Sequence, residues 1–104
     1  MNVWALNKEV QLKHFMLILQ DTYGPDSVMI SKLWQEDTKA IGLYKPDHES
    51  LLAYVHTHGQ AQGKFGIHLH YPDFAGDSTS AQEGLELDAL VELVCMHLDL
   101  VNPG

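Results

Sequence analysis

Seven histidines occur in this chain of 104 residues, and four fall in two alternating pairs, His56-Thr57-His58 and His68-Leu69-His70. In an extended strand, residues two apart point to the same face, so each pair would present both imidazoles together. Neutral imidazole nitrogens converging in this way are ligands that Zn²⁺, Ni²⁺ or Cu²⁺ accept. If residues 51–58 and 65–71 are both strands, His56, His58, His68 and His70 share one sheet face with Tyr54, and a divalent-metal site using zinc or nickel is the chemistry implied. If residues 48–59 are helical, only His68 and His70 share a face, and a two-histidine surface site completed by an acid such as Asp73 is the most they can build. The plainer use of such residues is structural, since histidine is intermediate in burial and sits readily on a sheet surface.

Known motifs that use such pairs are left incomplete. Tyr54-Val55-His56-Thr57-His58 is similar to the H-[ST]-H of zinc isopeptidases, but Gly59 stands where those have proline and no Ser-x-x-Asp follows at the needed distance. Ile67-His68-Leu69-His70 is similar to the alternating histidines of certain nucleotide hydrolases, but Pro72 replaces their third histidine. Neither resemblance assigns a family.

Other reactive residue types give less. Cys95 lies mid-helix with acids rather than cations nearby, which predicts a raised thiol pKa and an inert packing role. Gly63-Lys64-Phe65-Gly66 lacks the glycine spacing and the strand-to-helix context of a phosphate loop. The oxygen-rich segment Asp73 to Ser78 fails the calcium-loop spacing and reads as a connector. Trp34, Tyr44 and Tyr54 are candidates to line a small-molecule pocket between sheet and helices, with His68 or His70 as its polar group.

These residues depend on the elements that carry them. Leu12, Phe15, Met16 and Leu19 recur at helical spacing and predict a helix from about Asn7 to Tyr23, stopped by Gly24-Pro25. Asn2 to Leu6 reads as a short initial strand. Ser27–Gln35 and Lys39–Lys45 read as a β-hairpin. Phe65 to Tyr71 alternates cleanly and is a strand ended by Pro72. Thr79 or Ser80 can cap a final helix with a stripe of Leu87, Leu90, Val91, Val94 and Leu98. The segment from His48 to Gly59 reads two ways. As a helix it has Asp47 as N-cap, Leu51, Leu52 and Val55 as buried stripe and Gly59 as stop; as a strand it lacks clean alternation, so the helix is preferred.

The preferred order is strand, helix, strand, strand, helix, strand, helix: an α+β, ferredoxin-like βαββαβ sandwich with an extra C-terminal helix. The alternative is a four-stranded antiparallel meander flanked by two helices. Residues 1–104 are expected to form a single domain, since no repeat or linker divides them.

Charge narrows the partners. All six basic residues are lysines, and the net charge of -8 is uneven, with seven acids and no Lys or Arg over residues 65–104. Such a surface repels nucleic acid and acidic lipid. The apolar run Phe15 to Leu19 is too short for a membrane span, and a lone cysteine supports no disulfide framework, so a cytoplasmic location is expected. Leu85, Leu93, Met96 and Leu100 widen the apolar girth of the last helix beyond what one side of a small domain covers, which predicts an interface. The reading is therefore a binding or protein-interaction module, homodimeric and non-catalytic, for which either a second copy, another protein or a small molecule is the partner; the alternative is a divalent-metal-binding protein using the histidine pairs.

Overall fold

The computed structural model describes residues 3–24, 26–73 and 76–100, with side chains described over 3–24, 26–70 and 80–100. It is an α+β fold in which five antiparallel strands form one sheet and two helices accompany them. The strands are β1 (Met29–Ile30), β2 (Ala40–Lys45), β3 (His48–His56), β4 (Phe65–Asp73) and β5 (Gly76–Leu85), and they lie side by side in chain order. Helix α1 spans Val10–Tyr23 and α2 spans Leu87–His97.

Each element follows from local chemistry. In α1 the stripe Leu12, Phe15, Met16 and Leu19 is fully buried, as its spacing predicts. The helix stops at Gly24, whose φ of 99° suits a residue without a Cβ. In α2 Leu90 and Val94 are buried, followed by Leu98 just past its end. These side chains meet Ile41, Leu43, Ala53, Val55, Ile67 and Leu69 from alternate positions of β2, β3 and β4, forming one core. Each fully buried Leu, Ile or Phe contributes roughly 1.5–3 kcal/mol relative to exposure.

The preferred ferredoxin-like order gives way here, and the meander alternative, with one more strand, describes the sheet. His48–His56 is a strand, not a helix. Asp47, read as a helix N-cap, lies instead with Pro46 in the two-residue link of a hairpin: Lys45 pairs with His48, and Asp47 takes a φ of 70°. The broken alternation also has a cause. β3 is the middle strand, with Ala53 and Val55 in the core and Leu52 and Tyr54 half-buried among other side chains on the opposite face.

Smaller corrections follow the same logic. The N-terminal segment forms a 3-10 helix at Val3–Ala5 rather than a strand. The first arm of the predicted hairpin shrinks to β1, and Lys32–Trp34 becomes a 3-10 helix capped by the Ser31 hydroxyl, which accepts from Leu33 N–H at 3.2 Å. Pro72 does not end β4: β3 pairs with β4 only from Ala53↔Leu69 to His56↔Gly66, so the missing N–H is needed by no β3 partner. Thr79 and Ser80 lie within β5 instead of capping a helix, and α2 begins after Glu86. Gly84, at φ 68°, sits where the β4 to β5 register slips between Phe65↔Leu85 and Ile67↔Gln82, the conformation a glycine bulge requires.

No helix among the described residues is long and apolar enough to cross a membrane.

Candidate functional site

The helices cover one face of the sheet, and the candidate residues gather on the opposite face. Two glycines make its floor. Gly42 on β2 lies directly beneath the Trp34 ring, and a Cβ there would come within 2.4 Å of it. Gly66 on β4 lies beneath the His56 ring, where a Cβ would stand 2.2 Å from Nε2. Both rings therefore lie close against the backbone in places that only glycine leaves open.

On this floor the rings form a continuous row. Trp34 and Tyr54 have centroids 4.6 Å apart, and Tyr54 stacks on His56 at 5.4 Å with 27° between planes. His68 meets Tyr54 and His56 edge-on at 5.4 and 5.6 Å. His58 extends the row, stacked on His56 at 6.0 Å. Strand pairing explains the convergence: Tyr54 opposes Gly42 on one side and His68 on the other, while His56 opposes Gly66.

His56 is the buried centre, only 6% exposed. Its Nδ1 is buried without a well-formed hydrogen bond, the nearby His58 backbone giving only the weakest influence on the ring. Burial first, then the neighbouring His68 and His58 rings, lower its pKa from the ordinary 6.5, against which Glu83 on β5 pulls upward. Burial also raises the Tyr54 phenol, with Asp37 adding to the effect.

The row is held at its ends by groups that sequence reading missed. His58 Nε2 donates to Asp37 Oδ2 at 2.8 Å, and the Lys39 amide donates to Asp37 Oδ1 at 2.9 Å; these bonds hold the carboxyl below its usual range. The Lys8 ammonium, nearly buried, donates to the carbonyls of Trp34 at 2.8 Å and Asp37 at 2.7 Å. Burial lowers its pKa, with Asp37 and Glu36 opposing that effect. One lysine from the start of the chain thus pins the segment that delivers both Trp34 and Asp37. Lys8 lies outside the apolar stripe of α1, so helical periodicity alone gives no sign of this role.

Of the four histidines singled out by spacing, His56, His58 and His68 come together and His70 does not join their ring contacts. His70 lies instead beside His97 at the end of α2, whose Nε2 donates to the Leu52 carbonyl at 3.1 Å and which also engages the His70 backbone. His97 thereby occupies the fork where β3 and β4 cease to pair. Among the described residues, no three His, Cys, Asp or Glu side chains converge as a metal site requires.

The expected pocket residues are also relocated. Trp34 and Tyr54 stack in the row rather than lining a cleft between sheet and helices. Tyr44 lines a shallow depression of about 450 Å³ on the same open side, with Leu33, Glu49 and Leu52. Of the expected interface residues, Leu85, Leu93 and Leu100 pack partly buried against the core, and Met96 is 72% exposed. Cys95 is buried, and burial pushes its thiol up.

Comparison with protein-family models, with curated proteins and with solved structures finds no match for this chain.

Proposed function

We propose that this chain is a binding or protein-interaction module that performs no chemistry of its own and works through the open face of its sheet. The observation carrying this reading is the row of Trp34, Tyr54, His56 and His68, ring against ring on a glycine floor. Around the buried His56, the rings of Trp34, Tyr54 and His68 are part-exposed and held with little conformational entropy left to lose, the property that makes such residues binding anchors. Beside the row, Leu33 is 76% and Met29 44% exposed, extending the apolar surface to the β1 edge.

A second copy of the chain is the partner this surface favours. The outer side of α2 offers one well-exposed apolar group, Met96, among the acids Asp88, Glu92 and Asp99, and two such faces would repel each other. The open face carries Asp37 and Glu49 as well, but Asp37 is engaged by His58 and Lys32 stands beside Glu49, so its apolar rings and Leu33 meet less like charge.

Sedimentation velocity over a concentration series tests the reading. The expected result is a dimer that Leu33→Lys converts to monomer and Met96→Lys leaves intact. A dimer broken by Met96→Lys alone would place the interface on α2, and a wild type that stays monomeric at every concentration would sink self-association.

A further inference from the structure

The centre of the row holds a contradiction that a binding surface alone does not require. His56 is more than nine-tenths buried, yet its Nδ1 lacks a well-formed hydrogen bond, and its ring is pressed against the Gly66 backbone between Tyr54 and two further imidazoles. An apolar ring would fill the same space without an unsatisfied nitrogen, since a buried polar atom without a partner costs about 1–3 kcal/mol. What a histidine adds is the ability to take up a proton near neutrality.

Three of the strands around His56 supply groups that bear on that proton. β3 and its exit provide Tyr54 and His58, β4 provides His68, and β5 provides Glu83. Asp37, in the turn before β2, holds His58 and influences Tyr54, whereas the β2 residue opposite His56 is the uncharged Ala40. In place, a protonated His56 would have a second N–H to satisfy, a charge out of water and two imidazoles within about 6 Å. On β5, at the register slip beside Gly66, stands the exposed Glu83, whose charge favours the protonated ring.

We propose that His56 is a proton-operated latch: neutral, it lies on Gly66 and closes the row; protonated, it swings out to Glu83 and gives up its contacts with Tyr54 and His68. No covalent step is involved, only uptake of one proton and exchange of a packing contact for an ion pair. That this would weaken binding at mildly acidic pH rests on the reading of the open face given above; the latch itself does not.

The test follows histidine side-chain nitrogens by NMR between pH 8 and 5 in a Trp4→Phe background, which removes the tryptophan that sits beside His14. The nuclear Overhauser contact between His56 and the Gly66 α-protons should vanish, and Trp34 emission should change, with one midpoint below the ordinary histidine value of 6.5. Glu83→Gln should move that midpoint to lower pH. His56→Gln should abolish the fluorescence step, with His56→Phe as the second variant should Gln fail to fold. A His56 that protonates while its contact to Gly66 persists overturns the latch, as does a step that survives in the His56 variants or a midpoint indifferent to Glu83→Gln. Sedimentation at pH 7.5 and 5.5 separates the two proposals: a row that opens without altering a dimer leaves the latch standing and removes the open face as the interface.

Discussion

Single atoms decide much of this surface. Gly66 and Gly42 are the positions where a methyl group has nowhere to go, because the rings of His56 and Trp34 already occupy the space. Gly66→Ala should destabilise the protein by about 1–3 kcal/mol, the usual cost of forcing extra volume into packed structure. Urea unfolding monitored by circular dichroism measures it, and an unchanged midpoint would mean that the His56 ring does not rest there. Lys8 acts by a different route. Lys8→Met keeps the stem but removes the donor from two carbonyls, and a loss of about 1–3 kcal/mol is expected from leaving those groups unsatisfied. Trp34 should then gain mobility, visible as a red-shifted emission in the Trp4→Phe background. At this scale spacing alone was partly informative: His68-Leu69-His70 was read on a strand and lies on one, whereas the segment holding His56-Thr57-His58 was preferred as a helix, and nothing in that triplet distinguishes a buried ring from an exposed one. That difference comes from Gly66 across the ladder and from Asp37, which are 10 and 21 positions away in sequence.

Among the elements, the fork between β3 and β4 is where helix and sheet are joined by hydrogen bonds. His97 donates across it to the Leu52 carbonyl, and burial, the largest influence, lowers its pKa despite the backbone contacts that oppose it. His56 is lowered for the same leading reason. Both therefore bind protons more weakly folded than unfolded. Their contribution to stability is whole above the unfolded value of about 6.5 and is lost as pH falls from there towards the lowered folded values. Chemical denaturation at pH 7.5, 6.5 and 5.5 should give a falling series, and His97→Gln, which keeps a donor for the carbonyl, should flatten part of it. A series that rises towards pH 5.5 would contradict the burial of both rings. Asp37, held low by His58 and the Lys39 amide, acts in another window: its contribution is present above about 3.8 and disappears as pH falls through its folded value. The two helices were readable because their apolar stripes repeat at 3.6 residues whatever surrounds them. The strand at 48–56 was not, since Pro46-Asp47 serves a helix start and a hairpin turn equally well, and only pairing with both neighbours makes the turn the better choice.

For the whole molecule, charge and layering dominate. A net charge of -8 with seven acids and no Lys or Arg beyond residue 64 leaves the C-terminal third repelling itself. Raising NaCl from 20 to 150 mM at pH 7.5 should stabilise the fold, because screening at the higher salt acts over about 8 Å. Thermal unfolding checks this, and a midpoint that falls with salt would mean that pairs such as Lys64 with Glu86 outweigh the repulsion.

By itself the sequence determined the α+β class, the buried faces of α1 and α2, the clean alternation of β4 and the acidic surface, because each rests on interactions between residues close together in the chain. Tertiary structure alone decided that residues 48–56 join the sheet, that β5 replaces a loop and a helix cap, and that Trp34, Tyr54 and three histidines meet while His70 turns to His97. Those outcomes depend on which backbone groups find partners across strands and which side chains a glycine on a neighbouring strand makes room for, and a segment read in isolation contains neither.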